Sequence, residues 1–271
     1  MTGVSSEPDT VASVVIERLD GGVVLVRLNR PQQRNGIDPD SAELLTGLFR
    51  AANTDATMRA FVLTGAGRDY CTGADLAAGK TPDDFTTLDY RYATDGYRAL
   101  FQALWEIERP VVSAVNGTVA GAGWMYALMG DLVVAAAGAR WTHVFSRRGM
   151  VPHAGDPYFL PRMVPFHRLN EIAMLGDAVT SDQLAEWGLV NRLVSAEQVL
   201  PTATELAGRL AAGPTRSLGM TKRLYRRSLS SDMSTAFEDE PNATALLSTT
   251  ADRREGVVSL MEGRPAKFIG N

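Results

Sequence analysis

Cysteine is nearly absent. Cys71 is the only one in 271 residues, so no internal disulfide can form, and a reducing compartment, the cytoplasm, is expected. Histidine is almost as scarce, with three in the chain. No His/Cys spacing matches a zinc pattern, so no metal site is expected. No basic tract exists: the formal net charge is −4, with Lys and Arg spread along the chain. Nucleic acid and anionic membrane are therefore not the expected partners. Residues 1–12 (MTGVSSEPDTVA) lack both a basic and an apolar stretch, which argues against a secretory signal. Residues 111–130 carry no charge, but Asn116, the glycines and Asp131 beyond argue for a buried strand, a turn and a core helix rather than a membrane span.

Several nucleotide and nucleophile motifs are also incomplete. Gly121-Ala122-Gly123 opens like a dinucleotide fingerprint, but Tyr126 stands where its third glycine belongs and no suitably placed acid follows. GADLAAGKT (73–81) has one residue too many between its glycines for a phosphate loop. No GxSxG elbow occurs, which leaves a serine hydrolase without support.

What is present is a soluble, globular composition: 45% apolar and 21% charged residues. A chain of this length buries roughly 70–75% of its unfolded surface. VVIERL (14–19) and VVLVRL (23–28) around Asp20-Gly21-Gly22 read as a β-hairpin. Asp38-Pro39-Asp40-Ser41 supplies capping chemistry for a helix from about Asp40. FVLTG (61–65), VVSAV (111–115) and LVVAA (132–136) are buried strands, 77–96 is polar and loop-like, and Tyr97 to Glu108 has helical spacing. After Ser181 the pattern is helical apart from LVNRLV (189–194), with helix starts at Ser195-Ala196-Glu197 and Gly213-Pro214-Thr215. The alternation is that of an α/β fold. It divides into a core over 1–205 and a helical region over 206–271, which is too small to stand alone and is expected to pack on the core and on neighbouring subunits.

Two strand–turn–helix junctions carry the chemistry. RAFVLTGAGRDYCTGADL (59–76) and RPVVSAVNGTVAGAGWMYALMGD (109–131) each run from an apolar strand through a glycine-bearing turn into a helix start. Such turns can expose the N–H groups of Ala74 and Ala122 toward one point, as an oxyanion hole requires. Read alone, each is a tight structural turn.

Over essentially its whole length the chain resembles the crotonase superfamily, the enoyl-CoA hydratase/isomerase family. The matching stretches are LNRPQQRNGI (28–37), FVLTGAGRDYCTGADL (61–76), RPVVSAVNGTVAGAGW (109–124), SRRGMVPHAG (146–155), LGDAVTSDQLAEWGLVNRLV (175–194) and EGRPAKF (262–268). The resemblance implies a ββα spiral core with a helical C-terminal trimerisation region, assembly as a homotrimer or dimer of trimers, and an acyl-CoA substrate. Coenzyme A then enters as part of the substrate, with no separate cofactor. Ala74 and Ala122 would hold the thioester oxygen. Gln33, Arg34, Thr72, Asp75 and Leu76 would line the coenzyme A path, and Lys267 and Phe268 would close over the nucleotide. Gln32 stands where many relatives have a lysine. Arg34 could equally be a solvated loop residue, and Lys267 and Phe268 a frayed tail.

The departures from the family pattern bear on the reaction. Met125 and Phe145 occupy the positions at which the hydratases carry their two carboxylates, and neither can transfer a proton. They read as apolar pocket lining, together with Trp124 and His143. His153 stands where many relatives have an aspartate and is the first candidate base. Asp156 is the second candidate proton carrier, although Asp156-Pro157 before an apolar run has the pattern of an N-cap with proline at N1. His143 is placed by strand alternation to face the pocket or to pack in the core. His167 reads as solvent-facing and Asp131 as structural. Tyr90, Tyr92 and Tyr97 would line a cover over the acyl chain or pack as a helix. Isomerase-type proton transfer is the expected chemistry. The alternatives are a C–C hydrolase of β-diketones that uses histidine and aspartate without coenzyme A, and a catalytically silent acyl-CoA-binding member.

Overall fold

The computed structural model describes residues 12–78 and 85–271. The expected hairpin is formed by β1 (Val14–Arg18) and β2 (Val23–Leu28), with Val14 opposite Leu28. Gly21 and Gly22 turn the chain at φ 71° and 83°, a region that costs a residue with a Cβ. In α1 (Pro39–Ala52) the Asp38 carboxylate accepts the Ser41 N–H at 2.8 Å, with proline at the first helical position. Next come β3 (Ala60–Gly65), β4 (Asp69–Cys71), α2 (Thr87–Ala93) and α3 (Asp95–Glu106).

Residues 77–96, expected as loop, thus contain a short helix and the start of another, while 79–84 lie outside the described residues. The local signal for α2 is a reciprocal cap. Thr86 N–H donates to Asp89 Oδ2 at 2.9 Å and Asp89 N–H to Thr86 Oγ1 at 3.3 Å. The side chains of Tyr90 and Tyr92 lie outside the described residues. Tyr97 donates its hydroxyl to the Ile37 carbonyl at 3.1 Å.

The chain continues through β5 (Val111–Val115), β6 (Thr118–Ala120), α4 (Gly123–Leu128), β7 (Leu132–Ala136), β8 (Arg140–Thr142), α5 (Asp156–Met163), α6 (Phe166–Leu175), β9 (Ala178–Thr180), α7 (Ser181–Glu186) and β10 (Arg192–Val194). Six strands join in the order β1-β2-β3-β5-β7-β10, and every pair after the hairpin is parallel. Side-chain parity builds two cores from this one sheet. Val24, Val26, Phe61, Leu63, Val111, Val115, Val133 and Ala135 face one cluster. Val23, Leu25, Ala60, Val62, Val112, Ala114, Val134 and Ala136 face the other. A sheet covered on both faces needs such unbroken apolar runs.

The second face is covered by α8 (Ala196–Ala211) through Val199, Ala203, Ala207 and Ala211. The division expected between 205 and 206 therefore falls inside this helix. Helices α9 (Thr215–Ser228), α10 (Met233–Ser248) and α11 (Ala251–Met261) follow. Lys222 and Arg226 of α9 both pair with Asp131, which also accepts the Val111 N–H, so Asp131 is a structural tie between tail and core. Beyond α11 the tail is not frayed. The buried Asp252 carboxylate accepts the N–H groups of Ile269 and Gly270 at 2.7 and 2.8 Å.

A smaller sheet, ordered β4-β6-β8-β9, carries the turns of interest. β4, β6 and β8 are parallel neighbours, with Cys71 opposite Val119 and Ala120 opposite Thr142. Their C-terminal ends therefore release the chain side by side, where open parallel sheets characteristically present their sites.

Candidate active site

Three segments leave this edge together: Thr72-Gly73-Ala74 after β4, Gly121-Ala122 after β6, and His143 to Phe145 after β8. The first turn is tied to the loop before α1. Ile37 N–H donates to the Gly73 carbonyl and Asp75 N–H donates to the Ile37 carbonyl, both at 2.8 Å. Because Ile37 engages residues 73 and 75, the Ala74 N–H between them faces the opposite way, as in any parallel bridge. In the second turn Gly121 has φ 52°, and Ala122 is the N-cap of α4, whose first N–H groups have no helical partner. Among the described residues neither the Ala74 nor the Ala122 N–H donates a backbone hydrogen bond.

The two turns touch. Gly73 has φ 88°, and a Cβ there would lie 2.8 Å from the Ala122 nitrogen. A Cβ on Gly123 would lie 2.2 Å from the Cys71 carbonyl oxygen, so α4 starts pressed against the end of β4. Close approach of backbone to backbone is what these glycines permit.

Beyond the turns the wall is aromatic and apolar. Met125, Trp124 and Phe145 are buried, and the Phe145 ring reaches within 4.0 Å of where a Cβ on Gly121 would stand. Trp124 meets Trp141 edge-on at 5.3 Å and His143 at 6.1 Å. The Phe145 ring lies between two imidazoles, with centroids 4.9 Å from His143 and 4.8 Å from His153, each near perpendicular. His153 is exposed at the outer end of this row, whereas His143 is fully buried at the inner end. His167 lies exposed at the start of α6.

Asp156 departs from the N-cap pattern of its local sequence. It is the first residue of α5, not its cap: Gly155, at φ 85°, holds the cap position, and no side chain caps the helix. The glycine turns the chain so that the Asp156 carboxylate points inward. His143 Nε2 and Asp156 Oδ2 are 2.8 Å apart, and both side chains are buried. A carboxylate accepts, so the proton of this bond sits on Nε2. Among the described residues Nδ1 has no partner, and neither do Trp124 Nε1 and Tyr126 Oη. A hydrogen bond to a charged group contributes about 1.5–3 kcal/mol, which offsets part of the cost of taking the carboxylate out of water. Sequence reasoning marked both residues but not their pairing, because the partners are thirteen positions apart across an irregular segment.

The residues expected along the coenzyme A path are stitched into one surface. Arg34 forks onto Asp69, with Nη2 to Oδ1 at 3.1 Å and Nε to Oδ2 at 3.3 Å. Burial opposes ionisation of Asp69, but the hydrogen bonds from Arg34 and Thr118 and the arginine charge outweigh it and hold the carboxyl below its ordinary range. Arg34 is therefore an ion-pair partner rather than a merely solvated residue. Thr72 donates its hydroxyl to the Arg34 carbonyl at 3.1 Å. Asp75 pairs with Arg30 at 2.8 Å, and Gln33 and Leu76 are exposed beside these turns.

Lys267 and Phe268 are not brought to this surface within the chain. The Phe268 carbonyl accepts from Arg59 Nη1 at 3.4 Å, and Arg59 precedes β3, whereas Asn35 meets Ala66 beyond its other end. The six residues of β3 separate the two places, a span of roughly 20 Å. Cys71 is no nucleophile: burial pushes its thiol up to about 12.

A family model described as enoyl-CoA hydratase/isomerase matches residues 18–271. The chain is 33% identical over 262 residues to the 1,2-epoxyphenylacetyl-CoA isomerase of Escherichia coli K12, covering 94% of this chain and 98% of that protein. It is 31% identical over 248 residues to the 2,3-dehydroadipyl-CoA hydratase of the same organism, covering 92% and 95%. Among solved structures, the enoyl-CoA hydratase of Bacillus anthracis superposes with a TM-score of 0.88 at 26% identity, covering 96% of this chain and all of that one.

Proposed function

The chain belongs to the enoyl-CoA hydratase/isomerase family and has its crotonase fold, and on that premise we propose that it shifts a double bond in an acyl-CoA thioester by proton transfer rather than adding water. The observation that carries this reading is the pairing of two touching backbone turns with a wall that holds no carboxylate at Met125 or Phe145. The Ala74 and Ala122 N–H groups donate to the thioester oxygen. Negative charge grows on that oxygen when the α-proton leaves, and two preoriented amides in a water-poor site stabilise the enolate more than the ground state.

His153 is the base. It takes the α-proton, and the same imidazolium returns a proton at the γ-carbon, so the double bond moves and no other reactant is consumed. Imidazole suits both halves of this cycle because a ring nitrogen can take up a proton and give it back. Hydration would instead need a carboxylate to deprotonate water beside the β-carbon, where this wall is apolar. Gln33, Arg34, Thr72, Asp75 and Leu76 form the surface along which coenzyme A lies, and Trp124 and His143 back the acyl pocket behind Met125 and Phe145.

The large apolar side chains exposed on α9 to α11, among them Tyr225, Met233, Phe237, Leu260 and Met261, support assembly as a trimer or dimer of trimers. No helix among the described residues is long and apolar enough to cross a membrane, and the single cysteine supports a cytoplasmic setting.

A panel of 2-enoyl, 3-enoyl and aryl-acyl coenzyme A thioesters tests the reaction. Isomerisation or α-proton exchange is expected in wild type, falling by roughly 10²–10⁴ in His153→Ala. A wild-type exchange rate in that variant removes His153 as the base. The His143–Asp156 pair favours one second reading, the β-diketone C–C hydrolase. Saturable coenzyme A binding in a titration counts against it, and binding with no turnover of any thioester would point to a silent acyl-CoA binder.

A further inference from the structure

We infer that Asp156 and His143 form a buried clamp that positions His153, a role resting on the reading of His153 as base. Three observations converge on it. First, Asp156 is tied at both ends: its carboxylate meets His143 Nε2 at 2.8 Å, and its N–H donates to the His153 carbonyl at 3.2 Å. The segment that carries the base is thus fastened to the chain leaving β8. Second, His143 meets His153 again through Phe145, whose ring contacts both imidazoles at 4.9 and 4.8 Å. A displaced His143 would release one face of that ring and with it the support for His153.

Third, the intervening turn is held in an unfavourable conformation. Ala154 has φ 64° and Gly155 φ 85°, and a non-glycine residue persists there only when its surroundings impose it. Asp156 could have capped α5 from such a turn but does not. A buried carboxylate in the first turn of a helix that caps none of its N–H groups is poorly explained by stability alone. It is explained if its bond to His143 fixes the direction from which His153 faces the acyl carbon, since a displacement of about 1 Å in a reacting group can cost 10²-fold in rate. Asp156 and His143 are positioning residues in this scheme and move no proton to substrate.

The test is a mutant cycle on the intact protein, reading α-proton exchange of 3-hexenoyl-CoA in D₂O together with the histidine ring NMR signals. In Asp156→Ala, kcat is expected to fall about 10- to 100-fold with KM within about 2-fold. The His153 ring protons should also lose the ring-current displacement caused by Phe145. Asp156→Asn, which keeps an acceptor for Nε2–H, should restore most of the rate. In the His153→Ala background, Asp156→Ala should have no further effect. Should Asp156→Ala not fold, His143→Leu breaks the same contact from the other side.

A folded Asp156→Ala protein with wild-type kcat and unmoved His153 signals overturns the clamp. So does a loss that multiplies with that of His153→Ala in the double variant, because the two residues would then act independently. If His153→Ala alone keeps the wild-type rate, the base assignment falls. The NMR arm then decides the clamp by itself, with unmoved His153 signals in Asp156→Ala counting against it.

Discussion

The α-carbon of Gly73 is set against the backbone nitrogen of Ala122, so close that a Cβ would come within 2.8 Å of it. Two turns from neighbouring strands therefore share one van der Waals surface. Gly73→Ala should push the turns apart and strain a backbone at φ 88°. The expected cost is about 1–3 kcal/mol of stability. The rate should drop by roughly 10²–10³, the scale seen when one oxyanion donor is lost. Thermal unfolding and α-proton exchange measured on the same sample separate the two effects. A folded variant with wild-type exchange would deny the turns their proposed role.

Replacing His153 by aspartate asks whether the position or the imidazole matters. His153→Asp should keep exchange within roughly tenfold of wild type, far above His153→Ala, since a carboxylate at the same place can also accept a proton. A base acts only when deprotonated, and aspartates titrate below histidines as a class. The acidic limb of kcat/KM should therefore move to lower pH in this variant. An unmoved limb would show that another group sets it.

The architecture was readable because its signals are local. Strand parity, the Asp38 cap and the glycine turns depend on residues within a few positions of one another, and each stands where its spacing places it. Side-chain partnerships across the fold were not readable. Arg34 reads as a loop cation until Asp69, 35 positions away, is brought beside it. Asp156 carries the local pattern of a cap, yet Gly155 turns it inward to a histidine on another strand exit. The cap between Thr86 and Asp89 was legible in principle but was outweighed by the polar character of its surroundings.

Cys71 offers a probe of the site's integrity. It lies at the end of β4, buried, with its sulfur accepting the Gly73 N–H at 3.4 Å and its thiol pushed up to about 12 by burial. The thiolate is the reactive form, so a disulfide reagent at pH 8 should leave the native protein untouched and titrate one thiol after denaturation. Fast labelling of the native protein would mean that the β4–β6 edge opens readily, which is incompatible with a preorganised pair of amides.

The Lys267 segment of the C-terminal tail should loosen in acid. Glu255 accepts from Arg264 at 2.6 and 2.9 Å and from the Lys267 N–H at 2.8 Å. The Arg264 hydrogen bonds, followed by the one from Lys267, bring its carboxyl down to about 2 from an ordinary 4.5. A folded-state pKa below the unfolded one stabilises the tail fully above about 4.5, and that contribution fades as pH falls toward 2. Trypsin cannot read so low a pH, so amide exchange of Lys267 is the measurement, followed down from pH 5. Protection should decline across that window in wild type. In Glu255→Gln it should be weak already at pH 5, leaving the Asp252 contacts of Ile269 and Gly270 as the remaining tie. Equal protection in both proteins would assign the tail's order to Asp252 alone.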